Sequence, residues 1–335
     1  MDGQSLKPIT ILGAGSWGTA LALYLARRGQ PVRIWSYEIA EIAALLAERM
    51  NNQYLPGFEF PSEISPSANL AEAVKDVDDV LVAVPSVGFR DTLIMLKPLI
   101  APNTRLICAT KGLDSDTGQL LSEIIDEILG SHHPFAVLSG PSFAKEVAAG
   151  LPTAVGIASK DQKLLSDLFK RFNSAIFRIY PTDDVIGTEL GGVVKNVIAI
   201  MTGICDGMEL GSNARSAIIT QGLHEIIELG SKLGGKLETL IGLSGLGDLI
   251  LTCSDNQSRN RRLGLALGEG RDLHEAEKEI GQVVEGKRNA ELVSELAERH
   301  NIDMPICQMT WEILQGKISA KNGLDQLFAR TAEKV

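Results

Sequence analysis

The feature that most constrains the fold of this chain is a glycine-rich turn near its beginning. Ile9-Thr10-Ile11-Leu12 reads as a short apolar strand and runs directly into Gly13-Ala14-Gly15-Ser16-Trp17-Gly18, followed by helical spacing up to Gly29. In a strand–turn–helix context the first glycine makes the turn, the second lets backbone approach a pyrophosphate, and the third lets the helix pack on the strand. The pattern predicts a dinucleotide-binding unit, with the phosphates at a helix N-terminus.

The second predicted strand, Val32–Trp35, bears on the choice of cofactor. An acidic residue at its end would bind the ribose 2′-hydroxyl and favour NAD. Here Ser36-Tyr37-Glu38 follows, so the acid lies two or three positions late. The choice between NAD and NADP therefore stays open.

Further apolar runs predict the rest of a parallel sheet. Continuous apolar strands are typical of a sheet covered on both faces, and ligands bind at the carboxyl ends of such strands. Two of the turns at those ends are Thr110-Lys111-Gly112 and Ser139-Gly140-Pro141-Ser142, and Ser142 is a candidate N-cap for a helix over 143–149. The runs cover residues 80–84, 106–109, 136–138, 154–158 and 175–180.

A helix around Lys195 opens the second half of the chain. One face is an apolar stripe, and the opposite face carries Gly191, Gly192 and Ala199 beside the lysine. Close approach to such a face desolvates an amine and makes it a usable acid near neutral pH. The alternative is that Lys195 reaches water and the glycines serve tight packing.

Strand patterns stop after about residue 188, and helical spacing follows. We therefore predict an α/β fold, with a Rossmann-type doubly wound N-terminal domain over 1–188 and an all-helical C-terminal domain over 189–335. The chain has 335 residues, and that length favours two cores.

Two irregular stretches stand out in the helical half. Residues 242–249 are too glycine-rich for a regular element, and 281–286 is a loop with glycine at both ends. Between them, Ser258 is expected to cap a helix, so that the Asn260 N–H lies at an anion-binding terminus beside Arg259. The alternative is a solvated basic cluster.

Composition excludes several classes of protein. The net charge of −10 argues against binding to nucleic acid or anionic membranes. The four cysteines form no C-x-x-C pair and the five histidines show no ligand spacing, so we expect reduced thiols and no metal. No signal peptide is visible, and the longest apolar run, 193–204, is interrupted and too short for a stable membrane span.

Taken together, six motifs resemble the bacterial NAD(P)-dependent glycerol-3-phosphate dehydrogenases over nearly the whole chain. They are the glycine turn at 13–20, Ala109-Thr110-Lys111-Gly112, Ser139-Gly140-Pro141-Ser142-Phe143-Ala144-Lys145-Glu146, Leu190-Gly191-Gly192-Val193-Val194-Lys195-Asn196, Gly245-Leu246-Gly247-Asp248-Leu249 and Asn256-Gln257-Ser258-Arg259-Asn260. The resemblance implies NAD or NADP as cofactor and reversible reduction of dihydroxyacetone phosphate to sn-glycerol 3-phosphate for phospholipid synthesis. It also implies a cytoplasmic enzyme, usually a homodimer.

The resemblance also implies roles for individual residues. Lys195 is the expected proton donor and acceptor, Lys111 a second active-site lysine that touches substrate and cofactor, and Asp248 a substrate-site residue expected to position Lys195. The implied substrate contacts are Lys111, Gly140, Ser142, Lys195, Asp248, Ser258, Arg259 and Asn260.

The implied or possible cofactor contacts are Gly13, Gly15, Ser16, Trp17, Gly18, Tyr37, Tyr54, Lys111, Ala144, Arg259, Val283 and Glu285. Many relatives carry Arg or His at the position of Tyr37, so a strong NADPH preference is not implied.

Two alternatives remain. A β-hydroxyacid dehydrogenase would share the two-domain plan, but such enzymes usually have asparagine one turn after the lysine, where this chain has Ala199. A non-catalytic dinucleotide sensor would need none of Lys111, Lys195 and Asp248.

Overall fold

A computed structural model describes residues 7–333 of the chain. The chain divides into two compact units. Unit 1 contains residues 7–110, 121–138 and 142–185, and unit 2 contains residues 111–120, 139–141 and 186–333. The predicted boundary at residue 188 stays a prediction.

Unit 1 is built on a parallel sheet of eight strands in the order β10-β9-β8-β7-β6-β1-β2-β5, and β3 and β4 form a separate antiparallel pair. The strands are β1 (Ile9–Leu12), β2 (Val32–Trp35), β3 (Met50–Asn51), β4 (Leu55–Glu59), β5 (Ile64–Ser67), β6 (Asp79–Val82), β7 (Arg105–Cys108), β8 (Phe135–Ser139), β9 (Thr153–Ala158) and β10 (Phe177–Thr182). The predicted strands are confirmed, with ends that differ by one or two residues. β5 was missed.

The sheet of unit 1 is covered on both faces, as a doubly wound fold requires. Alternate residues of β1 enter different cores, since Ile9 and Ile11 pack in one apolar cluster and Leu12 packs in another. The helices are α1 (Ser16–Ala26), α2 (Ile39–Glu48), α3 (Leu70–Ala73), α4 (Phe89–Leu96), α5 (Leu121–Leu129), α6 (Ala144–Ala149) and α7 (Gln162–Phe172). Phe143, and not Ser142, occupies the N-cap position of α6, so that prediction is wrong by one residue.

Helices are the regular elements of unit 2 within its described residues, apart from Ser139 at the end of β8 and a bridge between Leu113 and Leu120. Its helices are α8 (Val185–Gly207, whose first residue belongs to unit 1), α9 (Gly211–Lys232), α10 (Leu237–Leu240), α11 (Asp248–Ser254), α12 (Arg259–Gly268), α13 (Leu273–Ile280), α14 (Glu285–His300), α15 (Pro305–Leu314) and α16 (Ala320–Glu333). Residues 187–205 of α8 are all buried, so the single apolar stripe predicted for this helix is wrong. A helix buried all round is the centre of its unit.

The glycine-rich stretches also differ from prediction. Residues 243–247 form a π-helical turn that continues into α11, although we expected no regular element there. A Cβ on Gly245 would lie 1.8 Å from the Leu240 carbonyl oxygen, so glycine is required by close packing. Similarly, Gly281 ends α13 with positive φ, while Gly286 lies inside α14.

Within the described residues, two stretches are long and apolar enough to cross a membrane by length and composition alone. For Val185–Gly207, 94% of the apolar window is buried inside the protein, as in the core helix of a globular unit, and for Leu237–Ser254 the share is 39%. The first stretch is longer than the run identified in the sequence, and it packs against protein.

Candidate active site

The centre of unit 2 holds two lysines on one carboxylate. Asp248, the first residue of α11, is 1% exposed and accepts from Lys195 Nζ on Oδ1 and from Lys111 Nζ on Oδ2, each at 2.6 Å. Lys111 also donates to the Gly140 carbonyl oxygen at 3.0 Å. Residues predicted from four separate motifs are therefore joined by hydrogen bonds within one unit.

Thr252 completes this cluster, and sequence reasoning did not single it out. Its hydroxyl accepts from Lys195 Nζ at 2.8 Å and donates to the Asp248 carbonyl oxygen at 2.6 Å. Thr252 lies four residues after Asp248, so the two side chains share a face of α11. That i, i+4 spacing is the signal that could have identified it.

Burial changes the acidity of Lys195. The side chain is 6% exposed, so the alternative in which it reaches water is wrong. Desolvation lowers the pKa of Lys195 to about 8; Asp248 raises it in part, and the positive charge of Lys111 lowers it further. With this pKa, Lys195 can donate a proton as the ammonium group and accept one as the neutral amine near neutral pH.

Two glycines of α8 make this approach possible. A Cβ on Gly191 would lie 2.2 Å from the Ser244 carbonyl oxygen, and one on Gly192 would lie 2.8 Å from Ser139 Oγ. Since Gly192 precedes Lys195 by three residues, both lie on the same side of the helix. The small-residue face predicted from the sequence is thus the face against which the segments around Ser139 and Ser244 pack.

The N-terminus of α12 has the predicted cap. The Ser258 hydroxyl accepts from Arg261 N at 3.2 Å. The N–H groups of Arg259 and Asn260, in the first turn, have no partner within the helix, and they present the positive end of its dipole. Arg259 donates to the Gln282 side chain at 3.3 Å; burial lowers the pKa of Arg259, whereas the charge of Glu285 raises it.

A pair of asparagines connects this terminus to α8 and α14. Asn260 Nδ2 donates to Asn196 Oδ1 at 2.8 Å, and Gly286 N donates to Asn260 Oδ1 at 2.9 Å. Because Asn196 follows Lys195 directly, the predicted anion site lies beside the lysine cluster. The same bonds hold the segment containing Val283 and Glu285 next to the start of α12.

In unit 1 the glycine turn fits a dinucleotide. A Cβ on Gly18 would lie 2.0 Å from the Gly13 carbonyl oxygen, and Gly13 has φ of 110° and lies against the backbone of Ala83. Gly15, by contrast, has an extended conformation open to any residue, and nothing lies within 4 Å of its Cβ position. Neither the backbone conformation nor the packing at Gly15 requires glycine. A ligand that approaches the backbone closely at this position explains the glycine.

The remaining predicted cofactor residues of unit 1 lie around this turn or at strand ends. Ser16 Oγ donates to the Tyr54 carbonyl oxygen at 2.7 Å, and Trp17 Nε1 is buried without a partner among the described residues. Tyr37 is 72% exposed beyond the end of β2. Ala144 begins α6, which packs against α1, while Ser142 is half-buried just before α6.

Known proteins match the chain over most of its length. Two family models match the chain: the N-terminus of NAD-dependent glycerol-3-phosphate dehydrogenase over residues 8–165, and its C-terminus over residues 184–325. A glycerol-3-phosphate dehydrogenase (NAD(P)+) of Coxiella burnetii is 51% identical over 97% of both chains, and one of Haemophilus ducreyi is 48% identical over the full length of both.

Solved structures show the same relationship. The crystal structure of glycerol-3-phosphate dehydrogenase from Coxiella burnetii has a TM-score of 0.95 at 50% identity and covers 97% of this chain and 99% of that one. A ketopantoate reductase from Ralstonia eutropha has a TM-score of 0.63 at 15% identity, covering 94% and 99%, and shares the fold alone. The chain belongs to the NAD-dependent glycerol-3-phosphate dehydrogenase family.

Proposed function

We propose that the chain catalyses the reversible NAD(P)-dependent reduction of dihydroxyacetone phosphate to sn-glycerol 3-phosphate, the backbone precursor of phospholipids. The observation that carries this proposal is the carboxylate of Asp248 held between Lys195 and Lys111 in a buried site. Membership of the family supports the choice of substrate.

The lysine cluster provides the acid for ketone reduction. The nicotinamide, when bound, supplies the hydride for the ketone carbon, and negative charge develops on the ketone oxygen. Lys195 stabilises that oxygen and donates its proton to it, and the neutral amine takes the proton back in the oxidation direction. Lys111 leaves the cluster of two ammonium groups and one carboxylate with a net positive charge, which favours the oxyanion.

The start of α12 is proposed to hold the substrate phosphate. Arg259 presents a fork of donors, and the N–H groups of Arg259 and Asn260 point out of the helix terminus. Binding energy from this remote group aligns the ketone with Lys195. Gly140, Ser142 and Ser258 complete the proposed substrate contacts.

The cofactor, NAD or NADP, is proposed to bind at the glycine turn of unit 1. Gly15 leaves room for the pyrophosphate, and the first turn of α1 offers its N–H groups. The other proposed contacts are Gly13, Ser16, Trp17, Gly18, Tyr37, Tyr54, Lys111, Ala144, Arg259, Val283 and Glu285.

Loss of NADH absorbance on addition of dihydroxyacetone phosphate tests the reaction, and Arg259→Ala tests the phosphate site. Truncation should cost about 1.5–3 kcal/mol in kcat/KM toward the phosphorylated ketone, the range for a hydrogen bond to a charged group. Unphosphorylated dihydroxyacetone should be a poor substrate of the parent, and kcat/KM toward it should fall far less in the variant.

Arg262→Ala is the matched control, because Arg262 is an exposed arginine of the same helix. Arg262→Ala should leave kcat/KM toward both ketones nearly unchanged. Equal losses for the two ketones in Arg259→Ala would show that Arg259 supports the fold or the cofactor, and the phosphate would need another partner.

A β-hydroxyacid substrate is the alternative. Ala199 stands where such enzymes usually have asparagine, and the arginine at α12 has no counterpart in that group. Activity with a carboxylate ketone and none with dihydroxyacetone phosphate would favour this alternative. We further propose that the enzyme is cytoplasmic and acts as a homodimer.

A further inference from the structure

Ser139, the last residue of β8, carries a buried hydroxyl without a partner. The residue is 4% exposed, and its Oγ makes no hydrogen bond within the described part of the chain. Its backbone is well held, because the Ser139 carbonyl oxygen accepts from Ser244 Oγ at 3.2 Å. The next carbonyl, that of Gly140, accepts from Lys111. The segment is therefore fixed while one polar atom stays unsatisfied.

An unsatisfied buried hydroxyl is costly, so its location matters. Burial of such a group without a hydrogen bond costs about 1–3 kcal/mol, and an apolar residue of the same size would avoid that cost. Ser139 Oγ lies 2.8 Å from the Cβ position of Gly192, and the Cγ and Cδ of Lys111 lie 3.5 and 3.6 Å from the same point. The orphan hydroxyl thus lies among the residues that surround the reacting lysine.

The order of groups along α8 indicates which part of a substrate the hydroxyl would meet. Gly192, with Ser139 against it, comes first; Lys195 is next; and Asn196, bonded to Asn260 at the α12 terminus, is last. Residues 192 and 196 are separated by about 6 Å along a helix axis, which is close to the extended length of a three-carbon phosphate ester from its free hydroxyl oxygen to its phosphorus. With the phosphate near Asn260 and the ketone at Lys195, the third carbon lies toward Ser139.

We propose that the Ser139 hydroxyl binds the unphosphorylated hydroxyl group of the three-carbon substrate and so sets specificity for that end of the molecule. This inference rests on the proposed function. The Ser139 hydroxyl has no partner to give up, so its rotation from Gly192 toward a ligand breaks no hydrogen bond. The free protein then tolerates the unfavourable free energy of an unsatisfied hydroxyl because that hydroxyl binds the substrate, just as functional sites tolerate strained backbone.

A purely structural role makes the opposite prediction. If Ser139 served only as a small residue beside Gly192, alanine would serve as well for both folding and turnover. The test therefore compares Ser139→Ala with the parent on two ketones: dihydroxyacetone phosphate, and hydroxyacetone phosphate, which has a methyl group in place of the free hydroxymethyl group.

The parent should prefer dihydroxyacetone phosphate by tenfold or more in kcat/KM. Ser139→Ala should lose about tenfold on dihydroxyacetone phosphate, the effect of one hydrogen bond, and should lose little on the methyl ketone. Its melting temperature should be unchanged or higher, because the variant removes an unsatisfied polar atom. If the parent had nearly equal kcat/KM for the two ketones, that result alone would overturn the inference.

Ser294→Ala is the matched control, since Ser294 is a buried serine of unit 2 whose hydroxyl already donates to the Ala290 carbonyl oxygen at 2.7 Å. Ser294→Ala should lower stability and leave the ratio of kcat/KM for the two ketones unchanged. Equal losses on both ketones in Ser139→Ala, or no loss on either, would overturn the role of Ser139. Absence of any NADH oxidation by the parent with dihydroxyacetone phosphate would instead refute the proposed function.

Discussion

At the scale of single residues, Asp248 determines how the two lysines behave. One carboxylate between two ammonium groups keeps both charges hydrogen-bonded, with Lys195 buried and Lys111 half-buried, and Thr252 fixes the orientation of Lys195. The cost of desolvation appears in the lowered pKa of Lys195. The Lys195 ammonium group is thus more acidic than that of an ordinary lysine.

Replacement of Lys195 by methionine should remove the proton donor and leave the cofactor site intact. The loss of one positioned general acid commonly costs about 10²–10⁴ in rate. Turnover of Lys195→Met should fall by this factor, while NADH affinity, measured by fluorescence titration, stays within a few-fold. Near-normal turnover would mean that the lysine is structural and that the mechanism is wrong.

The pH dependence of the two directions should be opposite. Ketone reduction needs protonated Lys195, so its kcat/KM should fall as pH rises through about 8, and alcohol oxidation, which needs the neutral amine, should rise over the same interval. Because the Asp248 charge raises the pKa of Lys195, Asp248→Asn should move both inflections to lower pH. An unchanged inflection in this variant would assign the titration to another group.

At the scale of elements, glycines bring helix backbones of unit 2 into contact. A Cβ on Gly203 of α8 would lie 2.2 Å from the Arg261 carbonyl oxygen, and one on Gly264 of α12 would lie 1.9 Å from that of Ile200. Gly207 and Gly268 repeat the contact one turn later. This seam holds the terminus of α12 at its distance from α8, so it positions the proposed phosphate site.

The glycine turn of unit 1 offers a test that separates folding from cofactor binding. Gly15→Ala places its Cβ in open space, so stability without cofactor should change by less than about 1 kcal/mol. NADH should nevertheless bind at least about tenfold more weakly, or ~1.4 kcal/mol, because the methyl group takes the place of the pyrophosphate. Thermal unfolding and fluorescence titration measure the two effects.

Gly18→Ala is the informative comparison. Its Cβ would lie 2.0 Å from a backbone oxygen, so this variant should be destabilised by roughly 1–3 kcal/mol or more even without cofactor. If Gly15→Ala bound NADH as tightly as the parent, the pyrophosphate would not lie at this turn.

We expect the end of β2 to influence the choice between NADH and NADPH. Glu38 is exposed there, and Ser36 Oγ donates to Glu41, so acidic groups surround the position after the strand. NADPH should therefore not be favoured over NADH by more than about tenfold, or ~1.4 kcal/mol. Competitive titration measures the ratio. A hundredfold preference for NADPH would mean that a basic residue from elsewhere reaches the ribose.

At the scale of the whole molecule, the net charge of −10 repels anionic partners generally, so the anionic substrate depends on local positive groups. We expect the 36.0 kDa chain to sediment as a dimer of twice that mass. Support comes from exposed apolar side chains at Leu237, Ile241 and Ile250. Sedimentation at the monomer mass across the micromolar range would refute the dimer.

Much of unit 1 could be predicted because its strands are continuous apolar runs that end in recognisable turns. β5 was missed because Ile64-Ser65-Pro66-Ser67 reads as a loop, and proline is tolerated there only because β5 is an edge strand. In unit 2 the helix at residue 248 was missed because glycine count suggested irregular backbone. Close packing against the Leu240 carbonyl oxygen requires the glycine at 245.

The sequence by itself determined the class of fold, the glycine turn, the Ser258 cap and which side chains are able to do chemistry, because each depends on near neighbours or on residue type. The tertiary structure was needed to show that Asp248 binds lysines 53 and 137 positions away, that Lys195 is desolvated, and that Ser139 Oγ has no hydrogen-bond partner within residues 7–333. Those properties depend on which segments pack together, and hydrophobic periodicity does not specify such contacts.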